Sequence, residues 1–211
     1  MDGAVGLFFL SFRFITRVLV RILLVKIIYI FFLYMLLSPT ESRTFNSQKE
    51  RIVVMRNKYL KAVSRRNQIE IAPTSGTGMI AGASDVFTGG IDHEFVIHGK
   101  NIKGKPTNVT KVQVFQIVKK GTFAQILGGF GEKKDRLCFE QEQIKSFVRD
   151  HTRWLAKDQN VTFFLFRGKN RKILIARVDW DTGNLWVDSL SPSLCIVWST
   201  NYHNRFVFPQ L

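Results

Sequence analysis

The chain has 211 residues, room for one ordinary domain plus an anchor or tail but not comfortably for two. Its composition, 45% hydrophobic and 22% charged, excludes wholesale disorder, and two cysteines without a CxxC pair exclude a disulfide scaffold. The formal charge of +15, from 31 basic and 16 acidic residues, favours anionic partners without choosing among nucleic acid, acidic lipid headgroups and acidic proteins.

In chain order, Leu7 to Leu37 is almost wholly apolar, with Arg13, Arg17, Arg21 and Lys26 its only charges. A helix from Val18 to Leu37 would be about 30 Å long, the thickness of the hydrocarbon core. Arg13, Arg17 and Arg21 step by four and form one cationic stripe, which Lys26 does not continue. Together these four cations are the expected membrane-interface residues, their long stems reaching the headgroups. No A-x-A-like site follows the apolar run, so an uncleaved anchor is preferred to a signal peptide. A mitochondrial presequence competes, because no acid lies between Gly3 and Thr40. Basic residues flank the run on both sides, so the positive-inside rule nearly cancels. A start at Met55 would leave the apolar run out of the working protein.

Ser38 to Gln48 reads as a polar linker. Lys49 to Arg66 reads as a basic helix with Ile52, Met55, Tyr59 and Val63 on one face. Ala72 to Gly90, rich in Gly, Ser, Thr and Ala, reads as a flexible or irregular connection. Beyond it, Glu94–His98 and Val109–Val118 read as strands, and Gly128-Gly129-Phe130-Gly131 as a break. Glu140–Lys157 carries the clearest helical period, in Ile144, Phe147, Val148, His151 and Leu155. Val161–Phe166 is apolar on both faces and so central. Ile173–Trp180 and Leu185–Val187 flank Asp181-Thr182-Gly183-Asn184, a hairpin turn signal. Leu194–Trp198 and Phe206–Phe208 would complete a meander.

The fold expected is therefore α+β: an N-terminal transmembrane helix, then an antiparallel β-sheet domain with one or two helices packed on one face. Its parts are a hydrophobic anchor helix at 1–37, a basic helix and Gly/Ser/Thr-rich linker at 38–90, and the globular domain at 91–211.

Chemistry-bearing patterns are few. Lys145, Arg149, Arg153 and Lys157 step by four along the expected helix, at about 6 Å per step, a spacing that suits successive phosphates; a solvated helix face is the plainer explanation. Gly76-Thr77-Gly78-Met79-Ile80-Ala81 fits GxGxxA, but no βαβ unit surrounds it. Asp92, His93, Glu94 and His98 are metal-binding types, yet a strand would place the two histidines on opposite faces. Cys138 or Cys195 with His151 or His203 would make a nucleophilic pair only if the fold brought them together; buried thiols are the plainer expectation. Asn108-Val109-Thr110 and Asn160-Val161-Thr162 match the glycosylation triplet. No catalytic, cofactor or metal set emerges. The expected function is a non-enzymatic, single-pass membrane protein whose basic domain is an interaction or assembly module, with anionic lipid and a protein as partners. A nucleic-acid-binding domain is the alternative, and a cysteine-dependent enzyme a third reading.

Overall fold

A computed structural model describes residues 57–64, 68–97 and 102–210. The anchor at 1–37, its four cations and the 38–56 segment lie outside the described residues. No helix among the described residues is long and apolar enough to cross a membrane.

The described chain is mixed α+β. Nine strands form one sheet: β1 (Leu60–Ala62), β2 (Ile69–Ile71), β3 (Gly90–Ile91), β4 (Thr110–Ile117), β6 (Cys138–Phe139), β7 (Val161–Arg167), β8 (Ile173–Asp181), β9 (Asn184–Leu190) and β11 (Arg205–Pro209). Its order is β1-β4-β11-β7-β8-β9-β3, with β2 also on β4 and β6 also on β7. β5 (Gly121–Thr122) and β10 (Val197–Trp198) form a separate two-stranded ribbon. The helices are α1 (Glu94–Ile97), α2 (Phe123–Gly128) and α3 (Gln141–Asp150).

β7 is central as its composition requires, because Val161 to Phe166 are all buried and need cover on both faces. Phe164 and Phe166 join a core closed by Ile144, Phe147 and Val148 of α3. Phe163 and Leu165 join a second core closed by Phe123, Ile126 and Leu127 of α2. Helices therefore cover both faces, not one.

Nor is the sheet purely antiparallel. β11 runs parallel to β7 and antiparallel to β4, and β3 runs parallel to β9. Phe206, Val207 and Phe208 are all buried, so β11 needs an interior place between two strands. It takes one on the far side of β7 and does not extend the β7–β8–β9 meander. The expected hairpin does form: Thr182 and Gly183 have φ of 48° and 86°, the left-handed pair of a tight two-residue turn.

Three expected elements differ. Residues 60–62 form a strand on β4, with Leu60 buried and Lys61 exposed, where a helix to Arg66 was expected. Glu94–Ile97 is one helical turn, because the Asp92 carboxylate accepts the Glu94 amide at 3.0 Å, a capping contact. α3 stops at Asp150. His151 leaves helical geometry, and the Arg205 guanidinium donates to the carbonyls of Trp154 (2.9 Å) and Leu155 (3.2 Å). Leu155 is still buried in the core of Ile144 and Phe147, but from chain that has left the helix.

The 72–90 segment is irregular yet packed. Ile80, Ala83, Val86 and Phe87 are buried in the same core as α3. The Gly78 amide donates to Glu142 (3.1 Å) and the Ile80 amide to Gln141 (3.1 Å), so this loop is sewn onto the start of α3. Residues 57–90 thus share a core with the domain expected to begin at 91.

Candidate interaction sites

The shorter α3 breaks the expected cationic stripe. Lys145 pairs with Asp85 at 3.0 Å, and Arg149 with its neighbour Asp150 at 2.7 Å. The hydrogen bond and charge of Arg149 hold the exposed Asp150 carboxyl below its usual range. Arg153 lies past the helix with its guanidinium 5.7 Å from the Trp154 ring, and Lys157 stands 4.8 Å from the Trp180 ring. Four cations in one helical row are therefore not what the fold presents.

The other sequence candidates are also dispersed. Asp92 caps α1, while His98 lies outside the described residues. The Gly78 amide, in the GxGxxA stretch, is taken by Glu142. His151 Nε2 meets the Glu70 carbonyl (2.9 Å) and His203 Nδ1 the Gln116 amide (2.8 Å). Both cysteines are free thiols. Burial pushes the Cys138 thiol up to about 12, and its sulfur faces the Lys134 carbonyl. Cys195 is exposed and points to the Ser193 carbonyl. In the second glycosylation triplet the Asn160 side chain accepts the His203 amide at 2.7 Å, so it is already part of the fold.

What the fold does assemble is a cleft of about 350 Å³ at the β8–β9–β3 edge. Alternate residues of β8 and β9 build it. Ile175 and Leu190 belong to the α2-side core, and beyond them that sheet face carries Arg177, Asp179, Trp186 and Asp188. Asp181 and, from the β3 side, Asp92 complete the rim. Arg177 and Asp188 are cross-strand partners joined at 2.6 Å. Burial pushes the Asp188 carboxyl up; Arg177 opposes this, and Asp92 and Asp179 add to it. Asp179 Oδ1, Asp188 Oδ1 and Arg177 Nε are sealed from solvent without a hydrogen-bond partner among the described residues. Such groups are costly to leave unmatched.

The Trp186 ring is half exposed, at 50%. Gly89 and Gly90 run so close beneath it that a Cβ on either would overlap the indole. Close backbone approach explains both glycines, and the ring is held as a fixed wall of the cleft. Sequence reading missed this site, although its signal was present. The two-residue turn pairs 181 with 184 and therefore 177 with 188, placing charged residues on one face.

Compared with models of protein families, with curated proteins and with solved structures, the chain matches none.

Proposed function

We propose that this chain is a non-enzymatic, membrane-anchored interaction module, held at a membrane by residues 7–37 and receiving a cationic side chain of a protein partner in the β8–β9–β3 cleft. The cleft carries the reading. Four carboxylates line a cavity of side-chain size with one guanidinium, which is joined to Asp188, beside an indole whose face can take a cation. A lysine or arginine entering it would meet the charge of Asp92, Asp179 and Asp181, since Asp188 already pairs with Arg177. A nucleic-acid partner has no comparable support: Lys145 and Arg149 are engaged by carboxylates, and Arg153 and Lys157 leave the row.

The anchor is tested by alkaline extraction of membranes carrying the full-length protein with a C-terminal tag. The protein is expected in the pellet at full size, and removal of residues 1–40 is expected to release it. A soluble full-length protein, or a truncated one that still pellets, overturns the anchoring. The cleft is tested by calorimetric titration with an arginine-rich peptide. Asp179→Asn with Asp188→Asn is expected to weaken binding about tenfold or more. Equal affinity for the variant and the native chain would remove the cleft from the reading.

A further inference from the structure

The edge of the sheet opposite the cleft has the reverse character. Here β1 meets the end of β4 and the β5–β10 ribbon. The Val118 amide donates to the Tyr59 carbonyl at 2.8 Å, and Gly121 lies under the Tyr59 ring. Trp198 and Val197 pair with Gly121 and Thr122. The ammonium groups of Lys58 and Lys119 stand 5.3 and 5.8 Å from the centre of the Tyr59 ring. Lys120 is exposed beside them.

Exposed aliphatic side chains share this place: Val118 is 44% exposed, Ile196 47% and Val197 58%. They stand on a rigid base, since Trp198 packs on Phe123 and Phe163 at 5.1 and 4.7 Å. The charge is one-sided. Among the described residues no acidic one occurs in the three stretches that build the face, 57–64, 113–131 and 189–210. The described chain also enters the domain here, at Asn57, following the apolar run that ends at Leu37.

From this juxtaposition we infer that the face formed by Lys58, Tyr59, Val118, Lys119, Lys120 and the Ile196–Val197 tip docks on a membrane surface bearing anionic headgroups. Lysine stems can lie along apolar surface with their ammonium groups among phosphates and carboxylates, tyrosine suits the boundary, and short aliphatics enter just below it. A nucleic-acid strand would use the lysines but would leave Val118, Ile196 and Val197 in water. The choice of a membrane over another anionic surface rests on the anchored reading.

Cys195 lies next to Ile196 and is exposed, whereas Cys138 is half-buried and its thiol is pushed up by that burial, so a neutral-pH thiol dye goes to Cys195 first. The full chain, carrying an environment-sensitive dye there, is reconstituted into phosphatidylcholine vesicles with and without phosphatidylserine. Flotation in alkali reports anchoring separately. The dye is expected to shift to the blue and brighten only when phosphatidylserine is present. The shift is expected to vanish in high salt and in a protein carrying Lys58→Gln, Lys119→Gln and Lys120→Gln. A dye on Thr182→Cys, in a Cys195→Ser background, is expected to stay water-exposed throughout.

Chain that floats while the Cys195 dye stays in water on phosphatidylserine vesicles overturns the docking face and leaves the anchor standing. Chain that does not float overturns the anchor, and the dye response to phosphatidylserine still decides the face. A dye that ignores lipid but responds to an oligonucleotide or an acidic polypeptide gives the face to that partner instead.

Discussion

Phe163→Ala is expected to lower the unfolding free energy by about 3–5 kcal/mol, the range for removing a fully buried aromatic side chain. Phe163 is wholly buried at the middle of β7, with ring centres of Trp198, Phe206 and Phe123 at 4.7, 5.0 and 5.1 Å. The loss would combine transferred apolar surface, the edge-on ring contacts and a cavity that neighbours on three elements cannot collapse to fill. A domain of this size has only about 5–15 kcal/mol in total, so the variant should unfold at much lower urea. Tryptophan fluorescence of the full chain in detergent is a suitable readout, because Trp198 touches the site. Phe163→Leu should recover most of the loss. A midpoint unchanged by Phe163→Ala would mean that β7 is not packed on the α2 side as described.

Much of this core was legible because its signals are local. Val161–Phe166 could only be a strand covered twice, and Asp181-Thr182-Gly183-Asn184 could only be a tight turn between two apolar runs. Most failures share one cause, a distant partner overriding a local period; Glu94–Ile97 differs, being turned by its neighbour Asp92. Tyr59 and Val63 suit a helical stripe, but β4 offers Leu60 and Ala62 a ladder. Leu155 keeps the α3 period, yet the helix ends at Asp150, and Arg205, fifty residues on, holds the carbonyls of Trp154 and Leu155 beyond it. Phe206–Phe208 reads as a strand, but nothing near it reveals that it lies parallel to β7. The cleft was half legible: the turn fixes Arg177 opposite Asp188, whereas the arrival of Asp92 beside β9 depends on a parallel pairing across almost a hundred residues.

The two surfaces lie at opposite edges of one sheet and complement one another. At the β1–β4 edge, Lys58 and Lys119 stand over the Tyr59 ring, in stretches without an acidic residue. At the β9–β3 edge, four carboxylates crowd around one guanidinium. On the proposed reading, an anionic membrane would attract the first edge and repel the second. Charge alone would then turn the cleft away from the lipid and towards a cationic partner.

The cleft's electrostatics give the second large effect. Arg177→Met is expected to destabilise the fold at pH 7 by about 1–3 kcal/mol, less than for a fully buried pair because both side chains are partly exposed. The penalty should shrink on acidification. Burial already raises the Asp188 carboxyl in the native fold, with Asp92 and Asp179 adding to it against Arg177. A carboxyl raised on folding contributes stability that is full below its unfolded value, near 3.9, and lost as pH rises through the higher folded value. Without Arg177 the folded value climbs further, so that loss grows at neutral pH and is relieved as Asp188 takes up a proton on acidification. Adding Asp188→Asn to Arg177→Met should flatten the pH dependence. Arg177→Met alone leaves four carboxylates without their guanidinium, so an arginine-rich peptide should bind the Arg177→Met protein more tightly and restore part of its stability. A penalty that stays constant or grows towards pH 4 would contradict the Arg177–Asp188 coupling. A normal pH response without tighter peptide binding would keep the coupling and reject the cleft as a cation site.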